Sequence, residues 1–207
     1  MATWKDITIE KYERIASLQS GGIGEIDLIA ATVAIVDGTT VKEVEDLPYG
    51  VLLLKARGLR FLQGDPVPNI VRKSYSICGK KYITTIRPED ITTAQYIDFQ
   101  VRATDAPEDL AGLLSVILIP EGHKYNDGYS SDEVRQEIYK NLPIEDAMGV
   151  SAFFFTLWKR SICRLLRQNK RLLRQLKRKR KKTEAEIQLI ETTERLIETI
   201  KQVQRYY

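Results

Sequence analysis

Ile9, Tyr12, Ile15, Ala16 and Leu18 recur at helical intervals behind Thr8, a residue suited to cap a helix start. The pattern predicts a first helix that stops at the breaker-rich loop Ser20-Gly21-Gly22-Ile23-Gly24. Ile26, Ile29, Ala30 and Val33 predict a second helix over Glu25 to Val36, closed by Asp37-Gly38. Thr40 to Asp46 reads as a short helix. Pro48 opens another that carries Val51, Leu52, Leu54 and Leu59 towards Gln63-Gly64-Asp65-Pro66. Together these predict a small helical layer.

The period then changes. Ser74-Tyr75-Ser76-Ile77-Cys78, a turn at Gly79-Lys80, and Lys81 to Ile86 predict a β-hairpin, with β-branched and aromatic residues flanking a glycine. Helical signals resume at Thr92-Thr93-Ala94-Gln95, a capping-box pattern ahead of Tyr96, Ile97 and Phe99. Pro107 is placed where a first helical turn tolerates it, before an almost wholly apolar helix from Leu110 to Ile119. Asn126-Asp127-Gly128 marks a turn within a polar loop, Glu121 to Tyr129. Ser130-Ser131-Asp132-Glu133 predicts a second capping box, opening a helix through Val134, Ile138 and Tyr139. Pro143, Glu145 and Asp146 suit the first turn of the next helix.

No proline follows Pro143, and a helix to the C-terminus, interrupted at most once, is expected. Steps of four and three from Trp158 reach Ile162, Leu165, Asn169, Leu172 and Leu176, a heptad seam with one polar member. The register continues through the polar Lys179, Thr183 and Glu186 before Ile190, Thr193, Ile197 and Ile200. Thr183-Glu184-Ala185-Glu186 can cap a new helix. Either the helix is continuous or it folds back near 180–183, bringing Glu184, Glu186, Glu191, Glu194 and Glu198 towards the preceding segment.

Charge adds what periodicity leaves out. The chain of 207 residues has a net charge of only +4. Thirteen cations nevertheless fall within one acid-free stretch: Lys159, Arg160, Arg164, Arg167, Lys170, Arg171, Arg174, Lys177, Arg178, Lys179, Arg180, Lys181 and Lys182. The remaining 19 basic residues stand against 28 acidic ones, so the rest of the chain carries −9. A helix of this charge repels itself unless an anionic partner is near. Nucleic-acid phosphates, an acidic protein face and an anionic membrane surface are the three candidates, beside a merely solvated coiled-coil exterior. The narrow seam suits helix packing better than a lipid surface, so no membrane partner is expected.

Catalytic and metal chemistry find little support. His123 is the single histidine and has no second ligand at zinc spacing. No Ser lies in a Gly-x-Ser-x-Gly elbow, and Ser20-Gly21-Gly22-Ile23-Gly24 lacks the Gly-Lys-Ser/Thr of a phosphate loop. Asn126, Asp127 and Asp132 are fragments of a calcium loop without its closing Glu. Cys163, near Arg160, Arg164 and Arg167, reads as an incidental thiol. Cys78 and Cys163 give no disulfide framework, and a reducing compartment fits. Met1 to Asp6 shows no signal pattern, and runs such as Leu113 to Ile119 are short of a membrane span. A soluble, non-enzymatic protein with no cofactor and no metal is expected.

Cys78-Gly79-Lys80-Lys81-Tyr82 followed by Ile91 to Phe99, and Ile119 to Tyr129 leading to Leu142-Pro143-Ile144-Glu145-Asp146-Ala147 and Phe153-Phe154-Phe155, carry a resemblance. Over residues 5 to 160 the chain resembles tail-assembly-chaperone-type proteins from morphogenesis modules of tailed bacteriophages, especially crAss-like phages of Bacteroidetes. The resemblance implies a helical protein that binds other virion proteins of the neck, tail or portal region, in the virion or in the host cytoplasm during assembly. The basic C-terminal extension departs from a compact chaperone and favours a place in the particle, near DNA or on an acidic ring. The expectation is therefore a mainly α fold with a small β-hairpin (α+β). A compact domain over 1–142 precedes a long helical segment over 143–207, which oligomerises, docks on partners or contacts DNA.

Overall fold

The structure, a computed structural model, describes residues 2–87, 90–178 and 190; the side chains at 158–166, 169, 172, 176 and 178 are outside the described set. The fold is mainly helical with a small antiparallel sheet. The chain divides into two units at Ala152/Phe153.

Local chemistry sets most of the helix starts. A 3₁₀ turn at Trp4–Asp6 leads into α1 (Ile9–Ser20), where the Thr8 hydroxyl accepts from the Lys11 amide at 3.4 Å. Helix α2 (Glu25–Asp37) ends on Gly38, whose φ of 71° is the left-handed stop that glycine adopts freely. In α3 (Val41–Glu45), Thr40 and Glu43 satisfy each other's backbone amides in a capping box. Pro48 precedes α4 (Tyr49–Gly58), which runs into a 3₁₀ turn at Arg60–Gln63. Ala30, Val33, Ala34, Val44 and Leu52 form the small core of this layer, with Ile29, Leu47 and Leu59 against it.

The hairpin forms one residue earlier in its turn than the sequence suggests. Strands β1 (Ser74–Ile77) and β2 (Lys80–Thr84) pair Ile77 with Lys80, leaving Cys78-Gly79 as the loop. Both loop residues have positive φ, 48° and 76°, as a two-residue turn matching the strand twist requires. Tyr75, Ile77 and Tyr82 are buried.

Helix α5 (Thr93–Asp105) carries the expected Thr92/Gln95 capping box. Gln95 also donates to the Val116 carbonyl at 3.2 Å, tying its cap to the next helix. That helix, α6 (Leu110–Ile117), is shorter than expected, because the apolar run splits at Leu118. Leu118–Pro120 instead forms β3, pairing Thr84 with Leu118 and Tyr82 with Pro120. The physical reason is twofold. Ile119 precedes a proline and is biased away from helix, and β2 offers an unpaired edge for the ladder. Pro107 likewise stands in a turn before α6 rather than in its first turn; Asp109 is the cap, accepting from the Gly112 amide at 2.9 Å. Helix α7 (Ser131–Asn141) is capped by Ser130, which accepts from the Glu133 amide at 3.3 Å. The return bond from the Glu133 side chain is absent among the described hydrogen bonds, so the predicted box has one arm.

Helix α8 (Ile144–Arg178) starts in a lattice of backbone bonds. Ile144 donates to Ile7 at 2.8 Å, Ile9 donates to Leu142 at 3.3 Å, and Thr8 bridges Pro143. An extended strap crosses the first turns. The Asn69 amide donates to the Glu145 carbonyl at 3.0 Å and its side chain to Asp146 at 2.9 Å. Ile144, Ala147 and Val150 are buried, which fixes the helix start within the first unit.

Candidate interaction surfaces

The second unit, from Phe153, contains the remainder of α8 as far as Arg178. An uninterrupted backbone helix therefore carries Lys159, Arg160, Arg164, Arg167, Lys170, Arg171, Arg174, Lys177 and Arg178. Of these, Arg167, Lys170, Arg171, Arg174 and Lys177 have described side chains, and all five are exposed. At about 1.5 Å rise per residue they occupy roughly 15 Å of helix, so each cation has another within the Debye length of about 8 Å at physiological salt. A binding anion relieves that repulsion and releases counterions. The positions Trp158, Ile162, Leu165, Asn169, Leu172 and Leu176 are all helical, so the heptad strip exists in the backbone; their side chains are outside the described set. Lys179 to Lys182, the fold-back region at 180–183, the Thr183 cap, Ile197 and Ile200 lie outside the described residues. Ile190 is helical and half-buried.

In the first unit several charged groups join elements to one another. Glu137 on α7 accepts from Lys80 and from the Tyr82 hydroxyl, locking the hairpin to α7. Burial, then the bond and charge of Glu137, push the Tyr82 phenol well above its ordinary value. For Glu137 itself burial raises the pKa, but the bonds from Lys80 and Tyr82 and the lysine charge outweigh it, leaving the carboxyl below the usual range. Burial also raises Tyr125, reinforced by its 2.6 Å hydrogen bond to Asp98. Arg135 Nε donates to both Asp109 oxygens, at 3.2 and 2.9 Å, beside a cleft of about 560 Å³ lined by Glu13, Glu108, Gln136 and Tyr139. His123 is engaged in its own loop, with Nδ1 3.1 Å from the Asp127 carbonyl and its ring edge-on to Tyr129. Asn126 and Gly128, at φ 60° and 75°, shape that loop as a turn. Among the described residues no group of His, Cys, Asp or Glu could hold a metal ion, and no described helix is long and apolar enough to cross a membrane.

No family model, no curated protein and no solved structure matches the chain.

Two surfaces escaped the sequence reading. The sequence reading assigns Val51, Leu52, Leu54 and Leu59 to the α4 region without saying which of them are covered. Only Leu52 is fully buried, while Val51 is 40% and Leu54 69% exposed. The cause is a narrow contact: of α4 itself only Leu52 joins the small core of Ala30, Val33, Ala34 and Val44, and Leu59, just past the helix end, packs against it. A cleft of about 540 Å³ opens beside it, lined by Val33, Asp37, Leu54 and Leu59. The strap likewise presents Val67 and Ile70, the latter 91% exposed. No local signal marks either, since exposure depends on what the rest of the fold leaves uncovered.

Proposed function

We propose that this chain is a non-enzymatic morphogenesis protein of a tailed phage. It binds other virion proteins of the neck, tail or portal region, as an assembly factor or a component of the particle. The observation that carries the reading is the exposed cation set Arg167, Lys170, Arg171, Arg174 and Lys177 on one uninterrupted helix that has no acid between 159 and 178. The charge asymmetry supports an acidic counterpart, and the resemblance of residues 5 to 160 supports the phage setting. The test is co-purification from infected cells of virion proteins with the full chain and with its Arg167→Glu, Arg171→Glu, Arg174→Glu variant. The reading requires that the wild-type chain retain virion proteins and the variant lose them; equal retention contradicts it.

A second reading has its own support. Arginine-rich helical faces bind nucleic-acid phosphates without reading bases. A packaged or DNA-associated role follows if the full chain binds duplex DNA with a log–log salt slope of about −0.9 per neutralised phosphate. A flat salt dependence excludes it.

A further inference from the structure

With Trp158, Leu165 and Leu172 at d and Ile162, Asn169 and Leu176 at a, the heptad assigns every other position of the helix. Each cation from Arg160 to Arg178 then falls at b, c or f, the positions farthest from the seam. The seam's flanks are different. Position g is Ser161, Gln168 and Gln175, and position e is Lys159, Leu166 and Leu173. After Lys159 neither flank carries a charge up to Arg178. Among the described side chains Arg167, Lys170, Arg171, Arg174 and Lys177 are exposed, as are Gln168 and Gln175 at g, while Leu173 at e is half-buried.

We infer that the seam of α8 binds a second copy of this chain, in parallel and in register, and leaves the cationic face outward. The inference names the partner of the helix and rests on the reading of α8 as the binding element. Charge placement selects the occupant. An acidic partner helix would be matched by cations at e and g, the positions that meet across a coiled coil. Between 160 and 178 those positions are uncharged, whereas a helix this basic could pair with its own copy only if its flanks were cleared. The acidic segment 183–207 of the same chain would find no cations beside the seam either. Asn169 sets the direction. In a parallel pair a meets a, so the two Asn169 amides fall in one layer and can bond to each other. In an antiparallel pair a meets d, and with Trp158 opposite Leu176 the amide would lie in a layer with Leu165, unpaired. Between 160 and 178 self-pairing also doubles the outward cations without placing like charges at the interface.

The test uses the full chain with Cys78→Ser and Cys163→Ser, carrying either Ile162→Cys at a or Leu172→Cys at d. Each variant is exposed to a mild oxidant alone and in an equimolar mixture, and a sedimentation run on the reduced proteins gives the mass. The expected result is a disulfide-linked dimer from each variant alone, since parallel register places each position against its own copy. Cross-linking only in the mixture, where positions 162 and 172 meet, would show an antiparallel pair and overturn the proposal. Absence of cross-links together with a monomer mass would overturn it as well. The functional reading fails separately. A dimer that ignores polyanions and virion proteins removes that reading and leaves the pairing, and a monomer that binds them does the reverse.

Discussion

A methyl group at position 149 would stand 2.2 Å from the Asn69 carbonyl oxygen, a backbone atom that the strap holds in place. Gly149→Ala must therefore push the strap from the start of α8. The expected cost is about 1–3 kcal/mol, read as a lower urea midpoint of the full chain. Gly50, also helical, has nothing within 4 Å of where a Cβ would be. Gly50→Ala should instead gain about 0.5–1 kcal/mol from reduced backbone freedom of the unfolded chain. Glu137 gives a pH-dependent test. Its carboxyl is held below the usual range, so its stabilising contribution is complete above the unfolded pKa and is lost as pH falls through the folded one. Glu137→Gln should lower the thermal midpoint at neutral pH and converge with wild type in acid; a constant gap would contradict this. The Thr8, Thr40, Thr92 and Ser130 caps lie within three residues of their partners, which is why each helix start is legible in the sequence. Gly149 is not legible, because its neighbour Asn69 is distant in the chain and is held there by a bond to Asp146, 77 residues away from it.

At the scale of elements, the same distinction separates β3 from α6. Leu110 to Ile119 is almost wholly apolar, and a buried helix and a buried strand have the same local signature. Pairing with Thr84 and Tyr82, distant in the chain, decides for the last residues. The hairpin turn is misplaced for a local reason: Cys78 adopts φ 48°, a conformation common for Asn and Gly and uncommon for Cys. Cys78→Asn should raise stability by about 0.5–1 kcal/mol, since Asn-Gly is the favoured pair for such a turn. An unchanged or lowered midpoint would place the turn elsewhere. For α8, Asn169→Leu should strengthen association while loosening stoichiometry or register, measured by sedimentation across concentration. No change in either would move Asn169 out of the seam.

For the whole molecule, charge was the legible part of the candidate site. Thirteen cations in an acid-free stretch, with −9 over the rest, can be counted in the sequence. The partner cannot be counted, because complementarity belongs to two surfaces and one chain supplies only the first. The apolar faces of α4 and the strap were hidden for a related reason, since the exposure of Leu54 and Ile70 is set by the packed whole. The account depends on the cationic face of α8 being the binding surface. The most direct test is equilibrium binding of the full chain to labelled duplex DNA and labelled polyglutamate as salt rises from about 50 to 200 mM, where phosphate-type contacts weaken steeply. The account predicts salt-sensitive binding to at least one polyanion, with both affinity and slope reduced by Arg167→Ala, Arg171→Ala, Arg174→Ala. Failure to bind either polyanion, or identical curves for the wild-type chain and the variant, would contradict it.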